Sequence, residues 1–305
     1  MNGSSAHAQF RQDSHPRAFD GFQFVYAVLS RRAQGISIGI NLSPHKRCNF
    51  GCIYCQVDRT VPGERQDVDE AQLQAELAAL LDAGARGELA ERARRDGAPQ
   101  EHCRVADVAF SGDGEPTAYP RFAEVVETVG QAVAARLPGT PLTLITNATL
   151  FHLPRVRAGL DALAARGGVV WAKLDAGSEE RFRLINGSGT SFDRVLDNIR
   201  EEARRRPLVI QSLFLRLGAE EPSEAEIDAY AGRLAAIVAA GGALAGVQVT
   251  TVARKPPRPD VAALSEERLR AIAERVRAAL PDVPVEVYPS RTFATPPAAG
   301  SEDAR

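Results

Sequence analysis

The chain has 305 residues, 44% of them hydrophobic and 25% charged, with 37 basic and 39 acidic side chains and a net charge of −2. Such a chain can bury a sizeable core, and its near-neutral balance excludes a global field drawing it onto nucleic acid or anionic membrane; a local basic patch is still open. No apolar run approaches the roughly 20 residues of a transmembrane helix, the N-terminus has no apolar signal core, and four cysteines, three of them clustered, fit a reducing cytoplasm.

Residues 1–20 are polar and aperiodic and are expected to form a disordered tail. An apolar stretch at 22–29 leads into Ser30-Arg31-Arg32. Residues 36–42 alternate apolar with small or polar side chains and read as the first strand. Pro44 ends it, and a cysteine loop follows at once. Asp67 with Glu70 three positions on reads as a capping box. The helix it opens carries Leu73, Leu77, Leu80 and Leu81 on one face. Residues 84–100 are charged and Ala-rich, a second, more solvated helix or an insertion. Strands at 105–110, 142–145, 169–174, 208–215 and 245–251 then alternate with helices at 120–137, 154–166, 192–205, 223–240 and 265–280. Ser223 with Glu226 forms another capping pair. A short last strand is expected at 285–287 and a loose tail over 289–305, leaving one core domain at 21–288. Strand and helix alternate about six times, which predicts a parallel α/β sheet with right-handed crossovers. Six βα units are too few for the usual eight-stranded closure. Periodicity leaves open whether the sheet is open, doubly wound or curled into a partial barrel.

Cys48, Cys52 and Cys55 are spaced C-x3-C-x2-C within eight residues. Three is an odd number, and so short a loop does not pair its cysteines tidily; it aims three thiolates at one place. Iron–sulfur clusters are held by such thiolates, and the usual cluster takes four. Three cysteines leave one iron without a protein ligand, an open position at which a metal binds and acts on something else. A zinc site would need a fourth ligand, from His45, His102 or Cys103, and zinc pairs are spaced differently. The alternative from another class is a non-catalytic iron–sulfur or zinc clip, which has no need of polar strand-end residues facing the metal.

In parallel α/β folds, ligands bind at the carboxyl ends of the strands. Cys48, Cys52 and Cys55 follow the strand at 36–42. Gly112, Asp113, Gly114 and Glu115 follow 105–110. Thr146 and Asn147 follow 142–145, and Lys173 and Asp175 lie at the end of 169–174. The same residue types also cap helices and form turns. Gln211 is an amide inside an apolar strand and needs partners, either a ligand or a neighbouring group. His152 is expected at the surface, and Cys103 as a small buried apolar residue.

The C-x3-C-x2-C spacing, with Tyr54 just before the last cysteine, resembles the signature of the radical S-adenosylmethionine (SAM) superfamily. The resemblance implies a partial (β/α)6 TIM-like barrel. It implies a [4Fe-4S] cluster on Cys48, Cys52 and Cys55 whose open iron chelates the amino and carboxylate groups of SAM. It also implies an electron donor such as flavodoxin or ferredoxin, and reductive cleavage of SAM to a 5′-deoxyadenosyl radical that abstracts hydrogen from a substrate. The run Gly112-Asp113-Gly114-Glu115-Pro116 resembles the family's GGE-type motif, which contacts the amino group of SAM; an aspartate separates the glycines, so either Asp113 or Glu115 is the acid that reaches it. By the same resemblance, Thr146-Asn147 and Lys173-Leu174-Asp175 are candidates for the ribose hydroxyls and carboxylate of SAM. Tyr54 is one for the adenine or for packing beneath the loop, and Gln211 for SAM or substrate.

Ser30-Arg31-Arg32, the run 39–44, Gly114-Glu115-Pro116-Thr117, Lys173-Leu174-Asp175-Ala176-Gly177 and Ile210-Gln211-Ser212 together resemble bacterial radical SAM proteins similar to wyosine-type tRNA synthetases, over roughly residues 25–255. Those synthetases are expected to carry a second cluster, for which Cys103 alone is too few, and the basic excess that accompanies RNA binding is missing. The substrate is therefore left open among small molecule, protein and RNA, with glycyl-radical-enzyme activation and tRNA-base modification as alternatives.

Overall fold

In the strands, apolar side chains recur at every second position, so each strand turns one apolar face outward, where helices cover it. Ile36, Ile38, Ile40, Val108, Phe110, Leu144, Ile210, Val247 and Val249 are buried in a single continuous core. The computed structural model describes residues 10, 19–63, 65–254 and 256–290. The tails expected at 1–20 and 289–305 lie almost wholly outside the described residues.

The chain enters as a hairpin: β1 (Val25–Ser30) pairs antiparallel with β2 (Gly35–Ile40). Two helices follow, α1 (Glu70–Ala85) and α2 (Glu88–Arg95). The repeat then runs β3 (Val105–Phe110), α3 (Phe122–Arg136), β4 (Leu142–Thr146), α4 (Pro154–Ala165) and β5 (Val169–Lys173). Next come α5 (Glu179–Asn186), α6 (Phe192–Arg205), β6 (Leu208–Leu213), β7 (Leu215–Leu217) and α7 (Glu224–Ala239). It closes with β8 (Leu244–Thr250), β9 (Val261–Ala263), α8 (Glu266–Ala279) and β10 (Val285–Tyr288). The main sheet has eight strands in the order β1-β2-β3-β4-β5-β6-β8-β10, parallel from β2 onward. It curls into a half-barrel, the partial TIM-like barrel that the resemblance implies. β7 and β9 form a separate antiparallel pair. No helix of the described residues is long and apolar enough to cross a membrane.

The lumen side of the sheet is polar. Ser37 pairs in register with Asp107, and Gln211 stands between Lys173 and Gln248. Ser37, Asp107, Thr143, Gln211, Gln248 and Thr250 are all buried. Gln211 donates from Nε2 to Gln248 Oε1 at 3.2 Å, so its amide is tied to a neighbouring side chain.

Several local expectations are corrected. The strand at 36–42 is the second strand, not the first; the apolar stretch at 22–29 runs into an edge strand ahead of it. Asp69, not Asp67, caps α1: its Oδ1 accepts from Gln72 N at 3.0 Å, and Glu70 is already the first helical residue. Ser223 does cap α7 through Glu226 N. The Glu226 carboxylate does not reach back; it turns to Gly177 N at 2.6 Å and Ser178 Oγ at 2.6 Å, so the reciprocal half of that box is absent. The strand expected at 208–215 breaks at Phe214, after which β7 leaves the barrel for β9.

Glu76 on α1 fixes the hairpin edge. Its buried carboxylate accepts from Gln23 N at 2.9 Å, Phe24 N at 2.8 Å and Val25 N at 3.1 Å, and from Gln72 Nε2 at 2.8 Å. Three backbone donors entering β1 have this one group as acceptor, and stranding a buried donor costs about 1–3 kcal/mol. Glu76→Ala is therefore expected to lower the unfolding free energy by about 2–4 kcal/mol in urea denaturation followed by circular dichroism. A loss within about 0.5 kcal/mol, as for an ordinary surface change, would contradict this role.

Candidate functional site

The cysteine loop leaves the C-terminal end of β2 and is held from two sides. Toward β3, Asn41 is the knot: its Oδ1 accepts from Ser43 N at 3.0 Å and Asp113 N at 3.1 Å, and its Nδ2 donates to Asp113 Oδ2 at 2.8 Å. The loop after β3 must lie flat against this knot. A Cβ on Gly112, which sits at φ +156°, would fall 2.4 Å from Asn41 Oδ1, and one on Gly114 would fall 2.1 Å from the Arg47 carbonyl oxygen. Glycine is required at both positions by close approach. Toward α5, the last carbonyls of that helix accept from the cysteine loop, Asn186 O from Gly51 N at 2.7 Å and Ile185 O from Ile53 N at 3.0 Å. Phe50 packs edge-on against Phe182 with ring centroids 5.4 Å apart.

Each cysteine sulfur has its own donor. Phe50 N lies 3.4 Å from Cys48 Sγ, Asn186 Nδ2 lies 3.4 Å from Cys52 Sγ, and Arg59 Nη1 lies 3.1 Å from Cys55 Sγ. The Asn147 amide is also directed at Cys48 Sγ, at 3.9 Å. Burial pushes the Cys48 thiol up and the Cys52 thiol up to about 11. Left to themselves Cys48 and Cys52 hold their protons; a bound metal reverses this, since a coordinating thiol is deprotonated outright.

Two buried carboxylates brace the rim. Glu115 accepts from Thr117 N at 3.0 Å, Thr117 Oγ1 at 2.6 Å, Thr146 Oγ1 at 2.7 Å and Asn147 N at 2.8 Å. Burial still raises its pKa, against those donors. Asp175 accepts from the Tyr54 hydroxyl at 2.5 Å, Asn186 Nδ2 at 2.7 Å and Leu213 N at 2.9 Å, with Lys173 Nζ at 3.6 Å. Burial and the Asp175 charge raise the Tyr54 hydroxyl well above its ordinary range. Lys173 Nζ lies 5.2 Å from the Tyr54 ring centroid.

The structure gathers most of the sequence-derived candidates on one cavity. A lobe of about 230 Å³ is lined by Cys48, Cys52, Cys55, Tyr54, Gly112, Gly114, Glu115, Thr146, Asn147 and Lys173. An adjoining lobe of about 250 Å³ shares Arg32, Tyr54, Cys55, Lys173 and Arg254 with the first and adds Gln211. Asp113 and Asp175 line neither lobe: Asp113 faces Asn41, and Asp175 stands behind Tyr54. Of the two acids left open by the glycine motif, it is Glu115 that reaches the cavity wall.

Asn41, Asn49, Arg59 and Asn186 escape sequence reasoning. Asn186 sits on α5, which was not expected; its signals were Ser178, which caps the helix through Arg181 N at 3.2 Å, and the buried pair Phe182 and Ile185. His152 is exposed and Cys103 is buried, as expected.

The donor set fits an iron–sulfur cluster better than a single ion. His45, His102 and Cys103 line neither lobe, so the fourth ligand a zinc site needs is not among them. Among the described residues, no three His, Cys, Asp or Glu side chains are gathered as a cage for one ion. A cluster asks for something else, because each cysteine binds a different iron and the sulfurs stay spread around it.

Known proteins are similar to this chain over part of its length. A protein named GTPase Obg from Brachyspira hyodysenteriae is 28% identical over 184 residues, 58% of this chain and 23% of that protein. A UPF0026 protein from Helicobacter pylori is 31% identical over 174 residues, 56% of this chain and 49% of that protein. The chain thus spans about half or less of the length of these curated relatives. None of its three lysines follows a glycine, so the G-x4-G-K-[S/T] phosphate loop is not in this sequence. Among solved structures, a radical SAM methyltransferase from Sphaerobacter thermophilus superposes with a TM-score of 0.56 at 16% identity, covering 87% of this chain and 69% of that one, a likeness of fold. The model of the Radical SAM superfamily matches residues 42–225. It runs from the end of β2 into the first turn of α7 and takes in all three clustered cysteines, and the chain belongs to that superfamily.

Proposed function

We propose that this chain is a radical SAM enzyme in which Cys48, Cys52 and Cys55 hold a [4Fe-4S] cluster and the cavity beside them takes SAM. When bound, cluster and SAM together supply a 5′-deoxyadenosyl radical able to take a hydrogen atom from a substrate. The observation that carries the proposal is the shared wall: three cysteines that, among the described residues, have no fourth cysteine or histidine on the same wall, facing the polar ends of β3, β4 and β5. A non-catalytic clip would need only the sulfurs.

The chain's own residues divide the work. The N–H groups of Phe50, Asn186 and Arg59 donate to the three sulfurs, which stabilises thiolate charge and tunes the potential of a bound cluster. Glu115 lies at the wall with its oxygens taken by Thr117, Thr146 and Asn147, so it shapes the strand-end loops and adds negative potential beside an ammonium group. Asp175 positions Tyr54 and Asn186 from behind. Lys173 presents a cationic donor to the carboxylate of SAM, Thr146 and Asn147 shape the wall with their donors spent on Glu115, Asn49 and Cys48, and Gln211 faces the adjoining lobe. An external donor such as flavodoxin or ferredoxin supplies the electron.

Anaerobic reconstitution with iron and sulfide, then SAM and dithionite, is expected to yield 5′-deoxyadenosine by chromatography and mass spectrometry. A cluster-loaded protein that neither binds nor cleaves SAM overturns the proposal. Cys52→Ala is expected to abolish stable cluster loading, read as iron and sulfide content.

Asn186→Ala removes the donor to Cys52 and one of the partners of Asp175 together. It is expected to lower 5′-deoxyadenosine formation about tenfold, the usual scale for losing a hydrogen bond behind a metal ligand. An unchanged rate would show that α5 braces the loop through its backbone carbonyls alone.

A further inference from the structure

A half-barrel has two free edges, and here they are β1 and β10, the first and last strands of the main sheet. Between them lies the open side of the lumen. Curling a sheet toward a barrel tilts its strands and staggers their ends, so the foot of one edge can come level with the head of the other. The strand registers show this stagger. Ser30 pairs with Gly35 at the foot of β2, whereas Tyr288 pairs with Thr250 at the head of β8. Yet the turn that joins β1 to β2, residues 31–34, meets the residue that follows β10: Arg31 Nη1 donates to the Pro289 carbonyl oxygen.

On the same turn, Arg32 reaches across to the opposite wall. Its guanidinium lies over the Trp171 ring of β5, 5.5 Å from the centroid, and it stands near enough to Tyr288 on β10 to act on that hydroxyl. Ser30, Arg31 and Arg32 line one side of the second lobe, and residues 250–254 at the end of β8 line the other. The turn thus forms the outer wall of the cavity where the sheet supplies none.

The turn keeps its own shape. Ala33 N donates to Ser30 Oγ at 3.1 Å, and Gln34 takes the left-handed conformation, φ +52°, that returns the chain into β2. Its β2 end is pinned: Ile36 N donates to Arg104 O at 2.8 Å, and a Cβ on Gly35 would fall 2.8 Å from the same oxygen. Among the described residues no strand pairing joins β1 to β10, so arginine side chains span the gap. A bond from a side chain to one carbonyl opens more readily than a ladder of backbone bonds. We propose that the β1–β2 turn is a strap across the open side of the half-barrel, clasped by Arg31 on Pro289, and that its release admits small molecules to the cavity from that side. Closure of this kind keeps bulk water from a site where reactive chemistry is done. The strap goes beyond the enzyme reading above, because it concerns the route into the cavity and not the guest.

Trp171 is the only tryptophan, is 9% exposed and lines neither lobe, so its emission reports how far a solute has passed the strap. The full chain is titrated with acrylamide, a small neutral quencher. Losing one hydrogen bond from a charged donor raises the open population about tenfold, so the quenching constant is expected to rise about twofold or more in Arg31→Ala. Arg31→Lys, which keeps the charge and a donor, is expected to fall between wild type and Arg31→Ala, and unchanged circular dichroism shows that both variants fold. A quenching constant equal in wild type and Arg31→Ala overturns the proposal.

Hydrogen exchange read by mass spectrometry separates a strap from a general loosening. In Arg31→Ala, exchange is expected to quicken in residues 26–36 and 285–289 and to stay unchanged from β3 to β6. Quickening through β3 to β6 as well assigns Arg31 to the stability of the whole sheet and overturns the proposal. So does greater quenching with no local quickening, which places the solute's path at the strand-end mouth. Both measurements need neither cluster nor SAM, so their failure is distinct from a failure to form 5′-deoxyadenosine.

Discussion

The carboxylate of Glu115 joins the loops after β3 and β4. It takes hydroxyl and backbone donors from Thr117, Thr146 and Asn147, all within 2.6–3.0 Å. Buried and surrounded by donors, such a group is either fully satisfied or very costly, which makes the geometry around it stiff. With its backbone fixed, Asn147 directs its amide at Asn49 Oδ1, 2.6 Å away, and at Cys48. One acid at the end of one strand thus sets the position of a cysteine that follows another. Asp175 repeats the device across the rim, through Tyr54 and Asn186 to Cys52.

These two acids show how far a sequence carries. That both would lie at strand ends, near the cysteines, was legible because the period of two and the βα alternation place those ends without any contact being known. The same logic places Gly112, Gly114, Thr146 and Asn147. What it misses is occupancy. Whether a carboxylate faces a ligand or a neighbouring hydroxyl depends on side chains dozens of residues away; Glu115 and Thr146 are 31 positions apart and Tyr54 and Asp175 are 121. Asn186 was invisible for the same reason, since an amide at a helix end acquires a role only when the cysteine loop is docked on that helix.

The elements that escaped notice share a physical cause. The strands at 105–110 and 169–173 and the helix at 192–205 carry their signal in their own periodicity. β1 does not: it lies at a sheet edge as an almost continuous apolar run, VYAVLS, and its start is fixed by Glu76 from α1. α5 has eight residues, too few to be stable alone, and it forms where Phe182 meets Phe50 on one side and Phe192 on the other. The pair Ser223 and Glu226 keeps its serine cap and loses its reciprocal half to a better partner. Glu226 leaves its own helix end because the backbone N–H groups at Gly177 and Ser178 offer it two donors.

The lumen is where this half-barrel departs from a closed one. Eight-stranded barrels fill their interior with layers of branched apolar side chains. Here the inward positions include Ser37, Asp107, Thr143, Gln211, Gln248 and Thr250, while the outward positions on the same strands are mostly isoleucine, valine, leucine and phenylalanine. Polar groups in such a place are expensive unless each finds a partner. Some do, as in the Gln211–Gln248 contact and the bond from Thr250 Oγ1 to Ser212 O at 2.9 Å. Others are left with capacity to spare: Asp107 Oδ1 has no hydrogen-bond partner, and Arg32 rests on an aromatic face. Packing alone would favour apolar side chains at these positions. Keeping polar groups at these positions instead suits a lumen that takes a polar guest.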